Sequence, residues 1–218
     1  MCGITDPEDA RAAVDLGAWA LGLIFWGGSS RGCPADAAEH IGATMRRQAE
    51  LTGVFVNATL DEIALAADRY GLSLVQLHGD EGPSYAREVA RRTGCRVIKS
   101  MAVRDAASVR DLEAFHTDFH LLDASMPGER GGTGTTFNWE LASAHRGAVP
   151  LLLSGGLDAD NVGEGIRVTR PYAVDVATGT ERCAGHKDPA KLKAFFRAVH
   201  AIDTELSPPA RDAEEATA

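Results

Sequence analysis

Short apolar runs alternate along this chain with longer stretches whose apolar residues recur every three or four positions, almost to the C-terminus. The short runs, bounded by glycine, proline or polar turns, predict strands at 19–25, 53–56, 72–77, 96–99, 119–123, 149–153 and 172–176, with a stub at 1–5 ahead of them. The longer stretches predict helices at 34–49, 60–70, 83–93, 105–115, 138–145, 158–168 and 189–202. Two helix boundaries are written out in full. Thr59 and Glu62 have capping-box spacing, Leu60, Ile63, Ala67 and Tyr70 share one face, and Gly71 ends the helix. Asp6 is placed to cap, Pro7 suits the first helical position, and Glu8 and Asp9 suit the positive end of the dipole.

Strands regularly alternating with helices predict successive βα units and a parallel sheet. Counting the stub, the units fit an α/β fold consisting of one compact (β/α)8 TIM barrel over residues 1–206. A doubly wound open sheet is the alternative, but it calls for a glycine-rich nucleotide loop, and Gly27-Gly28-Ser29-Ser30 lacks the spacing. The first strand is truncated. Only Met1 precedes Cys2, whereas a strand needs about five residues. The expectation is a ladder that fails to close, unpaired neighbouring edges, a mobile Cys2, and a start site upstream of Met1. If the chain does begin at Met1, its removal would give Cys2 a free α-amino group whose charge lowers the thiol pKa. Residues 207–218, rich in alanine, proline and charge, are expected to form a disordered tail.

With 218 residues, 44% hydrophobic and 24% charged, the chain can bury one substantial core. A net charge of −9 without a segregated basic patch argues against nucleic-acid and membrane partners. No apolar run is long enough to span a bilayer and no leader pattern is present, which predicts a cytoplasmic location. Cys2, Cys33, Cys95 and Cys183 form no C-x-x-C pair and read as reduced thiols. The histidines lack metal-ligand spacing, so no metal site is expected.

In such a barrel the chemistry sits at the C-terminal ends of the strands. Cys2 ends the stub. Asp123 ends the run 119–123 and precedes a glycine-rich loop at 126–136 that could close over a site. Gly155 and Gly156 follow the run 149–153, and Thr178 and Gly179 follow 172–176, where free N–H groups would cradle a phosphate. Arg31 lies among Ser29, Ser30 and Gly32, small neighbours that would let its guanidinium fork reach a carboxylate. Gln76 and His78, two apart, face the same way, with Gln76 filling the barrel and His78 lining the site. Asp175 stops one residue short of its strand end and reads as a residue that orients a neighbour. Each has a plainer reading: the glycines as tight turns, Asp123 as a cap or half of an ion pair, Arg31 as a solvated loop residue.

Cys2-Gly3-Ile4-Thr5, Val54-Phe55-Val56-Asn57, Val75-Gln76-Leu77-His78-Gly79, Leu122-Asp123, Gly131-Gly132-Thr133-Gly134, Thr136-Phe137-Asn138-Trp139, Leu153-Ser154-Gly155-Gly156-Leu157, Asp175-Val176, Thr178-Gly179 and Gly185-His186-Lys187-Asp188 together resemble the phosphoribosylanthranilate isomerases of tryptophan biosynthesis. The resemblance covers nearly the whole chain in order. It departs at the short first strand, a slightly longer loop after Asp123, Thr135 in place of a lysine, and Gly32-Cys33 in place of a bulkier apolar pair. It implies an Amadori rearrangement of a phosphosugar substrate, without a cofactor. By that pattern Asp123 is the general acid, Cys2 the general base, Arg31 the ligand of the anthranilate carboxylate, and Gly155, Gly156, Thr178 and Gly179 the phosphate site. The rival readings are another phosphosugar barrel enzyme, such as an epimerase or an indole-forming synthase, and a binding-only barrel lacking a working base. An epimerase calls for paired aspartates and histidine ligands, and a synthase for a catalytic lysine and glutamate at strand ends, where only Lys99 stands.

Overall fold

The computed structural model describes residues 1–123 and 138–206. The expected loop at 126–136, Thr135 within it, and the tail at 207–218 lie outside the described residues. Seven parallel strands form one sheet in chain order: β1 (Ala20–Ile24), β2 (Glu50–Phe55), β3 (Leu74–Leu77), β4 (Arg96–Ala102), β5 (Phe119–Asp123), β6 (Leu151–Leu153) and β7 (Ala173–Val174). The helices between them are α1 (Pro7–Asp15), α2 (Ala35–Met45), α3 (Leu60–Tyr70), α4 (Pro83–Thr93), α5 (Ala106–Arg110), α6 (Val162–Thr169) and, after β7, α7 (Pro189–Leu206). Both capping motifs form: Asp6 accepts from Glu8 N–H at 2.7 Å, and Thr59 and Glu62 cap α3 reciprocally before Gly71 closes it at φ 65°.

The pleat sorts side chains into two cores. Leu74, Ile98, Phe119, Leu121 and Leu152 pack together inside the curled sheet. Leu21, Leu23, Leu51, Phe55, Val75, Leu77 and Val97 point the other way and pack with α1 to α4. The same parity carries Gln76 and His78 inward after Leu74, and Asp123 inward after Leu121.

The stub behaves differently from the expectation. Cys2 N–H donates to the Val176 carbonyl at 2.9 Å, Gly22 N–H to the Met1 carbonyl at 2.8 Å, and Ile4 N–H to the Gly22 carbonyl at 3.0 Å. These bonds tie both flanks of the gap between β1 and β7, so Cys2 is held in place rather than mobile. Below the stub, at the opposite end of the barrel, a cavity of about 280 Å³ opens among Ala20, Tyr172 and Phe195.

Four expected helices are shortened: α2 stops at Met45 rather than at residue 49, and three others change more. The 105–115 segment is α5 followed by a 3-10 turn at Asp111–Ala114, the 138–145 segment is a 3-10 turn at Trp139–Ala144, and α6 begins only at Val162. In the last case Asp158 Oδ1 accepts from Asp160 and Asn161 N–H, an Asx turn that competes with the helix. An antiparallel hairpin, β8 (Glu181–Cys183) with β9 (His186–Lys187), follows a 3-10 turn at Thr178–Thr180 and was not expected. No helix among the described residues is long and apolar enough to cross a membrane.

Candidate active site

Cys2, Arg31, Gln76, His78, Asp123, Gly155, Gly156, Thr178 and Gly179 all line one cavity of about 450 Å³ at the C-terminal mouth of the barrel. Ser154 and Asp175 line it too. Asp123 is 4% exposed at the end of β5 and lines the cavity. The Gln76 amide nitrogen faces His78 Nδ1 at 2.8 Å, so Nδ1 accepts and Nε2 carries the hydrogen toward Asp123 Oδ2 at 3.3 Å. The chain Gln76, His78, Asp123 thus aims a ring N–H at the Asp123 carboxyl oxygen. Gln76 fills the barrel and His78 reaches the cavity, as their i, i+2 spacing requires.

The Cys-Gly-Ile-Thr segment is explained residue by residue. Ile4 is fully buried in the outer core, and Thr5 Oγ1 donates to the Gly185 carbonyl of the hairpin turn. Gly3 sits at φ 68°, and a Cβ there would stand 2.9 Å from Arg31 Cδ. The Cys2 thiol turns inward over Gly22, where a Cβ would lie 2.9 Å from Sγ, so the glycine of β1 makes room for it. Burial pushes this thiol up to about 12, and the Asp175 carboxylate adds to the effect against the N-terminal amine and Lys187. The thiolate fraction in the free protein is therefore far below the few per cent of an ordinary thiol. At pH 8 an alkylating reagent is expected to modify exposed Cys183 rapidly, while Cys2, Cys33 and buried Cys95, all pushed up by burial, react slowly. Mass spectrometry of the labelled protein gives the order, and rapid labelling of Cys2 would contradict the buried thiol.

Arg31 is not solvated. Its Nε donates to both oxygens of Glu181 at 2.9 and 3.0 Å, and Nη2 to Glu181 Oε2 at 2.8 Å and Thr178 Oγ1 at 3.3 Å. Glu181 in turn meets Lys187, which has no exposed surface and whose Nζ donates to Glu181 Oε1 at 3.3 Å, the Cys2 carbonyl at 2.7 Å and the Ala177 carbonyl at 3.2 Å. Burial works to raise the Glu181 carboxyl, but the Arg31 hydrogen bonds and the Lys187 and Arg31 charges hold it below the usual carboxylate range. Burial draws the Lys187 ammonium down against the pull of Glu181. Glu181 escaped the sequence reading because a lone glutamate after a strand carries no pattern, while Lys187 appeared only within the Gly-His-Lys-Asp motif.

The two glycine loops form one surface. Gly155 and Gly156 stand at φ 89° and 62°, a left-handed pair that side chains resist. Asn161 Nδ2 donates to the Gly156 carbonyl at 2.9 Å and clamps the turn ahead of α6. A Cβ at Gly179 would fall 2.0 Å from the Leu157 carbonyl oxygen and 2.9 Å from Asp158 Cβ, so the loops pack too closely there for any side chain. Gly179→Ala must part them, and KM is expected to rise roughly 10- to 100-fold with kcat much less affected. Steady-state kinetics beside a thermal melt would show it; an unchanged KM would show that this loop contact does not shape the binding site. Among the described residues no group of three or more His, Cys, Asp or Glu side chains is placed to hold a metal ion.

A parallel barrel whose mouth carries a buried acid, a thiol and paired glycine loops after its last strands defines an enzyme of phosphorylated sugars. Comparison with known proteins makes the class specific. The family model described as N-(5'phosphoribosyl)anthranilate (PRA) isomerase matches residues 1–198, and the chain belongs to that family. The Geobacter metallireducens N-(5'-phosphoribosyl)anthranilate isomerase is 42% identical over 201 residues, covering 92% of this chain and 98% of the relative. That of Citrifermentans bemidjiense is 44% identical, covering 90% and 93%. The crystal structure of the isomerase from Thermus thermophilus superposes with a TM-score of 0.83 at 32% identity, covering 92% and 97%. A further isomerase structure, in complex with reduced 1-(o-carboxyphenylamino)-1-deoxyribulose 5-phosphate, matches at a TM-score of 0.77 and 34% identity, covering 92% and 96%.

Proposed function

We propose that this chain performs its family's isomerisation with Asp123 as the general acid and Cys2 as the general base. Asp123 gives a proton to the furanose ring oxygen of phosphoribosylanthranilate as the C1–O bond breaks and the anthranilate nitrogen forms a C1=N iminium. Cys2, as thiolate, takes the C2 proton, the C–H electrons neutralise the iminium, and the resulting enol becomes the ketone of the deoxyribulose phosphate. Hydrogen moves only as a proton, so the reaction needs no electron carrier. The cation that forms beside Cys2 favours the scarce thiolate and makes the C2 hydrogen acidic, which reconciles a buried thiol with its role. Arg31 receives the anthranilate carboxylate, and Gly155, Gly156, Thr178 and Gly179 receive the phosphate.

The carrying observation is the convergence of these groups on one cavity. The binding-only reading rested on a loose Cys2, and the backbone bonds around the stub remove its premise. Residues 1–206 are read as one catalytic domain, in a cytoplasmic protein with reduced thiols. Freshly made phosphoribosylanthranilate tests the reading through loss of its fluorescence. Turnover that is competitively blocked by the reduced product analogue is expected; binding without turnover would refute it.

A further inference from the structure

We propose that Glu181 is a positioning residue that sets specificity for the substrate carboxylate, by locking Arg31 into one orientation while Lys187 secures Glu181 from behind. This deepens the reading of Arg31 given above and rests on it. Glu181 takes Nε and Nη2 of the guanidinium side-on, at 2.8 to 3.0 Å, while Nη1 makes no hydrogen bond among the described residues. An arginine spends one edge of its fork on such a partner and keeps the remaining N–H groups for a ligand. The stem is fixed as well: Gly3, at φ 68° and without a Cβ, lets Arg31 Cδ lie against the backbone beside Cys2.

Glu181 cannot swing toward the cavity. Its side chain is 3% exposed, it is paired in the hairpin register with Lys187, and Lys187 Nζ binds it together with the carbonyls of Cys2 and Ala177. One ammonium therefore ties together the segment bearing the thiol, the loop facing the phosphate and the partner of the carboxylate-binding arginine. A guanidinium ordered before the ligand arrives loses little freedom on binding, and its direction selects a substrate whose carboxylate lies where Nη1 points.

The test compares kcat/KM for phosphoribosylanthranilate with that for its carboxyl-free counterpart, phosphoribosylaniline, in wild type, Arg31→Ala and Glu181→Gln. Wild type is expected to prefer the carboxylate, and both variants to lose roughly tenfold or more of that preference. A loss of activity on both substrates alike in Glu181→Gln, with the ratio kept, would mean a merely structural role and overturn the proposal, while a reduced ratio in Arg31→Ala would leave the arginine reading standing. A ratio unchanged in Arg31→Ala would sink that reading and the proposal with it. Nitrogen-15 NMR of the wild-type protein provides a check that needs no variant: the Arg31 Nε–H is expected to exchange slowly with water without ligand, and rapid exchange would overturn the locked orientation.

Discussion

Asp123→Asn is expected to lower kcat by about 10²- to 10⁴-fold with KM nearly unchanged, because the amide keeps the shape and cannot give up a proton to the ring oxygen. Cys2→Ala is expected to cost a similar factor, since it removes the proposed base for the C2 proton. The two residues act in sequence on one molecule, so the double variant is expected to be no worse than the poorer single variant. Fluorescence loss of phosphoribosylanthranilate under saturating conditions measures all three. An Asp123→Asn protein retaining more than a tenth of kcat would show that the acid lies elsewhere. His78 Nε2 stands 3.3 Å from Asp123 Oδ2, so loss of that imidazole is expected to misplace the carboxyl group and lower kcat more than it raises KM.

Lys187→Met is expected to destabilise the fold by about 3–5 kcal/mol, the cost of breaking a buried ion pair while two carbonyls lose their ammonium donor. Lys187 is fully buried, and its removal strips hydrogen bonds from Glu181, from the Cys2 carbonyl and from the Ala177 carbonyl together. Urea unfolding gives the value. Adding Glu181→Gln should recover part of the loss, since the buried carboxylate that Lys187 helped to balance disappears with it. A loss below about 1 kcal/mol would show that Arg31 alone neutralises Glu181. The depressed Glu181 carboxyl adds an acid limb: its stabilisation is present above the ordinary glutamate range and is lost as pH falls through the lowered value.

The barrel was legible because a strand buried on both faces and a helix buried on one leave different periods in the chain, and because caps such as Thr59 with Glu62 are local. The candidate site was legible to the same depth. Asp123, His78, Gly155 and Thr178 stand at or just past strand ends, and a barrel gathers those ends at one mouth. The helix at 158–168 was misjudged where a side chain competes for the backbone: Asp158 opens an Asx turn ahead of α6. The hairpin at Glu181 to Lys187 lacks the alternation that marks a strand, and its interior holds charge rather than carbon.

By itself, then, the sequence determined the order of the strands, the parity that turns Gln76, His78 and Asp123 inward, the glycines of the loops after β6 and β7 and the family to which they belong. Only the tertiary structure decided that a short stub holds Cys2, that its thiol lies buried beside Asp175, and that Arg31 is held by Glu181 and Lys187. The reason is range. Pleat and caps act over a few residues and leave a local trace, whereas Arg31 and Glu181 are 150 positions apart and Lys187 and Cys2 are 185 apart. Such partners meet only when the barrel closes, and their energies depend on the burial that closing creates.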